Sequence, residues 1–374
     1  MKIGQILFSY LPNIGGGENY VYRLSYFLEK KKNDITIYTT DFSLKNGGKE
    51  EKNAFYCKTT FTLLRNPFSY ELLKKLRESE DDIYHIHSPW FLTSLSATRV
   101  LKNRPKVMTV HSAEITNKNF KIRILNKLYH PLAQYSLRNM DKLIVLSKRE
   151  KEILLRSFSI SRKKVIVIPN GIYLDDFKPS KINNEKFIEK YKLQEDSFKI
   201  LFVSRLVREK NPHKLVNSMK YLKDNNVEVI LIGGRNGRYV DELKRNNDAR
   251  VHVLGKVDFD ELVAAYHTSD LFVFLGTWEG LPTVILEAMA CGLPILTTPV
   301  GGILDIITEN KNGFFIQHPI DEMNLANKIN YIMNNADINE ISKANMEKVK
   351  TQYNWDVIAN KILDVYNQVL EEYK

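Results

Sequence analysis

The sequence predicts an α/β protein with two Rossmann-like halves, and three observations lead there. The chain has 374 residues, more than one core commonly serves, and a 43% hydrophobic content with which to fill two. Apolar runs of strand length alternate with helix-period segments along the whole chain, as expected of parallel sheets covered on both faces. The alternation also restarts after a turn-rich stretch from Pro169-Asn170-Gly171 to Pro179, where a strand ends and a polar, Asn- and Lys-bearing segment follows.

Taken in order, the first half reads as a strand over 3–8, a helix over 18–31, and strands over 35–39, 83–86, 106–109, 142–146 and 165–168. The second half reads as strands over 199–203, 227–232, 251–254, 271–275 and 294–297, separated by helices, one of them over 283–289. Trp355, Ile358, Ile362, Val365, Tyr366 and Val369 recur at helical intervals near the C-terminus and predict an amphipathic helix packed on a partner. The expected domains are therefore 1–178, 179–353 and a terminal helix over 354–374.

Composition excludes several classes. No run approaches the ~18 apolar residues of a membrane helix. Residues 3–11 are too short for a signal sequence, lack a small-residue cleavage site and run into Gly15-Gly16-Gly17, so a cytoplasmic protein is expected. The two cysteines, Cys57 and Cys291, have neither a disulfide pattern nor a metal spacing. The net charge of +11 is unevenly spread: residues 1–178 carry 31 Lys and Arg against 17 Asp and Glu, whereas the remainder carries 24 against 27. Basic residues cluster at Lys74, Lys75 and Arg77, and at Lys118, Lys121, Arg123 and Lys127. In the second cluster Ile122, Leu125, Leu128, Tyr129 and Leu132 form a helical apolar stripe with a basic rim. That pattern suits the inner surface of an anionic membrane, and equally an ordinary core-facing helix with a solvated basic face. Nucleic acid is disfavoured, because no recognised binding module or stacking motif accompanies the charge.

The most informative segment runs from Trp278 to Gly292, where Glu279 and Glu287 bracket the turn Gly280-Leu281-Pro282-Thr283. Spacing alone favours a solvated loop glutamate and a helix glutamate paired with a cation. Context shifts the balance, since the segment joins a strand end to a helix start, where α/β sheets hold ligands. Glu287 lies among Val284, Ile285, Leu286 and Met289 and needs a partner; there it can accept both hydroxyls of a ribose.

Other motifs are weaker singly. Gly15-Gly16-Gly17-Glu18 opens the first helix and suits either phosphate approach or a tight turn; it is neither the Gly-x-Gly-x-x-Gly fingerprint nor a P-loop. Arg205 and Lys210 follow the first strand of the second half, where fixed cations can hold a pyrophosphate. His111 ends a strand and can contact a substrate, although lone histidines are more often structural. His85 and His87 form an i, i+2 pair with no further metal ligand in view. Asp258-Phe259-Asp260 has the form of a metal-binding Asp-x-Asp, but it precedes a helix and reads better as a cap.

Taken together these residues resemble the family-4 glycosyltransferases, retaining enzymes of the GT-B fold. The resemblance covers nearly the whole chain: Gly15-Gly16-Gly17-Glu18, His111, Val167 to Ile172 with Asp176-Phe177, Ser204-Arg205-Leu206 with Lys210, Ser269 to Val273, Glu279 to Gly292, Val300-Gly301-Gly302 and Asn312-Gly313. It implies two Rossmann-like domains facing across an interdomain cleft, with the terminal helix crossing back to the first. It implies that Glu287 holds the donor ribose and Glu279 faces the transferred sugar, within a donor loop of Gly280, Leu281, Pro282, Thr283 and Val284. Arg205 and Lys210 would neutralise the diphosphate with the amides of Thr283 and Val284, His111 would lie near the donor sugar, Gly16 and Gly17 would face donor phosphate and acceptor, and Lys256 and Val257 would flank the nucleobase.

The activity so implied is transfer of a hexose from a nucleotide diphosphate sugar to a lipid-linked glycan or glycolipid, with retention of α configuration. Metal and cofactor are expected to be absent, and the departing phosphate to help deprotonate the acceptor. The stretch before Glu279 is Gly276-Thr277-Trp278, where many relatives carry Ser or Pro-Ser, which leaves the sugar open. A nucleotide-sugar-binding protein without turnover, or an epimerase of the same fold, are the alternatives.

Overall fold

A computed structural model describes every residue except 13–14, 47–50, 64–65, 114–119, 235–236, 246–247 and 278–279, and the backbone alone at 43, 45–46 and 120–126. The chain divides into two compact units, Met1–Asn170 with Trp355–Lys374, and Gly171–Asn354. The second unit starts at Gly171, ahead of residue 179, because the 3-10 turn Leu174–Phe177 packs on that unit. His267 Nε2 donates to the Phe177 carbonyl at 2.8 Å, and the Phe177 ring lies edge-on to Phe259.

In the first unit the strands are β1 (Lys2–Ile6), β2 (Asp34–Thr40), β3 (Ala54–Cys57), β4 (Phe61–Leu63), β5 (Asn66–Phe68), β6 (Ile83–His87), β7 (Lys106–Val110), β8 (Lys142–Val145) and β9 (Val165–Val167). Strands β4 and β5 form a separate antiparallel ribbon. The other seven make a parallel sheet in the order β3-β2-β1-β6-β7-β8-β9. Every residue of β6 and β7 is buried, as the continuous apolar runs require of a sheet covered on both faces. Helix Trp355–Glu371 packs against helix Gly16–Lys30 and buries Trp355, Ile358, Ile362, Val365, Tyr366 and Val369. Its ends are pinned by Lys31 to Asp356 at 2.7 Å and Lys142 to Glu372 at 3.4 Å.

The second unit holds β10 (Phe198–Val203), β11 (Val227–Ile232), β12 (Val251–Gly255), β13 (Leu271–Phe274), β14 (Ile295–Thr297) and β15 (Phe314–Phe315). They form a six-stranded parallel sheet in the order β12-β11-β10-β13-β14-β15. Its core gathers Phe202, Leu215, Leu231, Leu271, Leu296 and Leu325 from strands and flanking helices. In both sheets the strand order reverses beside the first strand, between β1 and β6 and between β10 and β13. Parallel α/β sheets open a ligand crevice at that point, beyond the carboxyl ends of the strands.

Candidate active site

In the second unit the crevice end is built by two loops tied to each other. Strand β10 runs into Ser204 and Arg205, then the 3-10 turn Arg208–Lys210. Asn211, left-handed at φ 54°, closes that turn and donates from Nδ2 to the Leu275 carbonyl at 2.9 Å, while the Thr277 amide donates to the Glu209 carbonyl at 3.3 Å. Thr298 Oγ1 donates to the Gly276 carbonyl at 2.6 Å, fixing the start of the loop after β13. The cation loop and the loop leading to residue 279 are therefore held as one piece.

Lys210 sits over the Phe274 ring, Nζ 5.6 Å from its centroid. Burial, and then the Arg205 guanidinium, push its ammonium down to about 8. A multiply charged anion beside these two cations would favour the protonated amine again. Arg205 itself is exposed.

Helix Thr283–Ala290 starts directly after this loop, with Leu281 and Pro282 buried and Thr283 exposed. The Gly302 amide donates to the Gly280 carbonyl at 2.6 Å, which anchors the turn. Glu287 lies one turn into the helix, partly accessible, and Oε2 accepts the Tyr266 hydroxyl at 2.8 Å. Burial raises its pKa above the ordinary carboxylate value, making it a weaker acid, while hydrogen bonds from Tyr266 and Thr283 oppose that rise. The partner expected for Glu287 is thus a tyrosine, not a cation. Lys256 is exposed and Val257 half-buried, just beyond the end of β12. Asp258 caps helix Phe259–His267 in a full capping box: the Glu261 amide donates to Asp258 Oδ1 at 2.8 Å. Glu279 lies outside the described residues, as does Trp278.

In the first unit Gly15 is the N-cap of helix Gly16–Lys30. A Cβ built on Gly16 or Gly17 meets nothing within 4 Å, so packing does not require glycine there, and the helix start is open to an approaching group. His111 follows β7, beside His87 at the end of β6: His87 Nδ1 and His111 Nε2 are 3.3 Å apart and the rings stack at 5.5 Å. Tyr20 lies edge-on to both rings, at 5.8 and 5.0 Å. Burial holds the His111 imidazole neutral, pushed down to about 4.

Residues 183–367 match the model of the glycosyl transferases group 1 family, and residues 14–176 match that of Glycosyltransferase Family 4. A UDP-Gal:α-D-GlcNAc-diphosphoundecaprenol α-1,3-galactosyltransferase of Escherichia coli is 30% identical over 308 residues, covering 79% of this chain and 77% of that one. The chain belongs to the group 1 glycosyltransferases. An uncharacterized glycosyltransferase of Methanocaldococcus jannaschii is 28% identical and covers 99% of each chain. Among solved structures, Anabaena HepE in complex with UDP superposes with a TM-score of 0.81 at 18% identity, covering 98% of this chain and 100% of that one. The architecture is GT-B.

Within this glycosyltransferase the predicted residues fall into two groups. Arg205, Lys210, Gly280 to Val284 and Glu287 gather at the β10/β13 end of one sheet, whereas Gly16, Gly17 and His111 line the corresponding end of the other. Two contributors escaped the sequence reading. Tyr266 comes from a helix 21 positions earlier and carries no local pattern linking it to Glu287. Gly233, at φ 152°, lies so near Ser204 that an added Cβ would stand 1.7 Å from its carbonyl oxygen, so only glycine lets the Arg205 loop pass. The Gly233-Gly234 pair directly after a strand was the available signal.

Proposed function

We propose that this glycosyltransferase moves a hexose from a nucleoside diphosphate sugar to a lipid-linked glycan or glycolipid, with retention and without a metal. The observation that carries the proposal is the grouping of Lys210, Arg205 and the Tyr266-bound Glu287 at the end of one sheet. Glu287, held by Tyr266, receives the ribose diol; the two cations and the amides opening helix Thr283–Ala290 receive the diphosphate. As the bond from the anomeric carbon to the diphosphate breaks, negative charge grows on the leaving oxygen. Fixed cations and amides already aimed there lower the barrier without reorganising. The family resemblance assigns neutral His111 and Glu279 to the donor sugar, Gly16 and Gly17 to donor phosphate and acceptor, and Lys256 and Val257 to the base. Metal-free chemistry is supported by Asp258, whose carboxylate is committed to its capping box.

A lipid-linked acceptor is supported by the E. coli relative, whose name specifies a diphosphoundecaprenol substrate. It is also supported by helix Phe120–Arg138, on which Leu128, Leu132 and Tyr135 are exposed at 71, 40 and 36%. Tyr129, by contrast, turns inward to the core. Together with Lys127 this stripe gives the basic first unit an apolar contact for an anionic bilayer on its cytoplasmic side. No helix among the described residues is long and apolar enough to cross a membrane.

The deciding experiment is a screen of nucleotide sugars against polyprenyl-diphosphate glycans and glycolipids, with product NMR, for wild type, Glu287→Ala, Arg205→Ala and Lys210→Ala. Full activity in all three variants would overturn the donor-site assignment. Abolition by EDTA with rescue by manganese would overturn metal independence, and β-linked product would overturn retention.

A further inference from the structure

We propose that a one-way hydrogen-bond chain, running from His111 through His87 and Gln5 to Tyr366 of the C-terminal helix, locks His111 as the tautomer protonated on Nε2 and thereby presents its Nδ1 to the donor sugar as a hydrogen-bond acceptor. The inference rests on His111 being the donor-sugar contact. It adds Gln5, His87 and Tyr366 as positioning residues that act through it.

The chain lies wholly inside the first unit. Gln5, His85 and Tyr366 have no exposed surface and His87 has 3%, so water cannot substitute for a missing partner. Burial holds all three imidazoles neutral: His85 is pushed down to about 3, His111 to about 4, and His87 well below its usual value, the neighbouring rings adding to the effect on His85 and His87. A neutral imidazole has one donor and one acceptor nitrogen, so fixing either fixes the other.

Directions then follow link by link. Gln5 Oε1 can only accept, so the His87 nitrogen 2.7 Å away, Nε2, carries the proton. His87 Nδ1 is therefore bare, and the His111 nitrogen facing it at 3.3 Å, Nε2, must donate. Proton-bearing Nε2 leaves His111 Nδ1 as the lone-pair nitrogen. On the other side, Gln5 Nε2 donates to the Tyr366 oxygen at 3.5 Å; the buried Tyr366 hydroxyl proton then goes to His85 Nδ1, 2.6 Å away, which makes His85 Nε2 the donor to Thr109 Oγ1 at 2.7 Å.

Every donor points the same way, from His111 towards Thr109. Reversal requires the Gln5 amide to turn over and all three imidazoles to change tautomer together, because each intermediate state sets donor against donor in a dry interior. Tyr20, edge-on to His87, His111 and Trp355 at 5.8, 5.0 and 5.2 Å, restrains the ring planes while the chain fixes the protons. An acceptor nitrogen at that position selects a sugar hydroxyl and rejects a group that only accepts, such as fluorine or a carboxylate.

The test uses the full-length chain labelled with 15N-histidine. Long-range proton–nitrogen correlation at pH 7.5 should show His111 protonated on Nε2. Tyr366→Phe, made on a different element, should convert His111 to a tautomer mixture and lower kcat roughly five- to tenfold, the loss of one hydrogen bond, with little change in donor KM. His87→Asn, whose side-chain oxygen can take the place of Nδ1 as acceptor, should keep the Nε2 tautomer and most of kcat, whereas His87→Leu should lose both. Protonation of wild-type His111 on Nδ1, or a Tyr366→Phe spectrum with its tautomer unchanged, would overturn the proposal. The intended tautomer in a chain with no transferase activity would instead overturn the donor reading, so the two failures are distinguishable.

Discussion

The two units have the same floor and different rims. At the floor of the first, the Lys106 amide donates to Asp141 Oδ2 at 2.9 Å, the Asp141 amide returns to the Lys106 carbonyl at 3.1 Å, and Lys106 Nζ reaches the carbonyls of Lys102 and Arg104. In the second, Lys199 and Asp270 repeat it: 2.7 Å, 2.8 Å, and Nζ to the carbonyls of Glu195 and Ser197. Each clasp joins the starts of neighbouring strands and satisfies a buried ammonium with backbone oxygens. At the opposite ends the resemblance stops. The first unit places the neutral imidazoles of His87 and His111 there, whereas the second has two cations and a tyrosine-bound carboxylate. Under the proposed function, this repeated module would serve neutral recognition on one rim and charge stabilisation on the other.

The largest effect should come from breaking the charged rim. Lys210→Ala should lower kcat by about 100-fold or more, the scale of one lost stabilising group in the transition state, while His111→Ala should cost about tenfold. Steady-state kinetics showing the opposite order would break the division of labour. Next come the floors. Asp141→Ala and Asp270→Ala should each destabilise by about 1–3 kcal/mol in urea unfolding, through a buried amide left unpaired. Asp141→Ala should be the worse, since Asp141 also accepts the Tyr373 hydroxyl at 3.3 Å. Equal losses would mean that the C-terminal contact adds nothing.

A pH profile sharpens the contrast further. Lys210, pushed down to about 8, is charged below that pH and neutral above it, so donor kcat/KM should fall as pH rises through about 8. Lys210→Arg should move that limb to higher pH. His111, pushed down to about 4, stays neutral from pH 5 upward and should contribute no acidic limb between 5 and 7. The smallest expected change is in Tyr266→Phe, which removes one neutral partner from Glu287; donor KM should rise roughly fivefold with kcat nearly unchanged.

The sequence made the sheets legible wherever strands are continuous apolar runs. Strands β6, β7, β10, β11 and β13 fall within a residue or so of their expected bounds. What escaped is short or polar: β3, the β4/β5 ribbon, which contains Asn66-Pro67, and the two-residue β15 have too few residues for a period to register. The chemistry-bearing residues near strand ends were readable for the same reason, because strand ends were. Partnerships were not. Nothing local ties Glu287 to Tyr266, and His85 and His87 looked like a lone pair until Gln5 and Tyr366, 361 positions apart, met between them. The Asp258 cap was legible because a capping box spans only four residues.

Tyr366 belongs to a segment that leaves the ribosome after the whole of the second unit. Gly171–Asn354 is continuous and can close as soon as it emerges, whereas the first unit stays open until Trp355–Lys374 arrives. Until then Gln5 and His85 lack the hydroxyl that links them. The order of completion is therefore the reverse of the order of synthesis: the unit begun first is finished last, and the helix that seals its core is also the one that completes the proton order at His111.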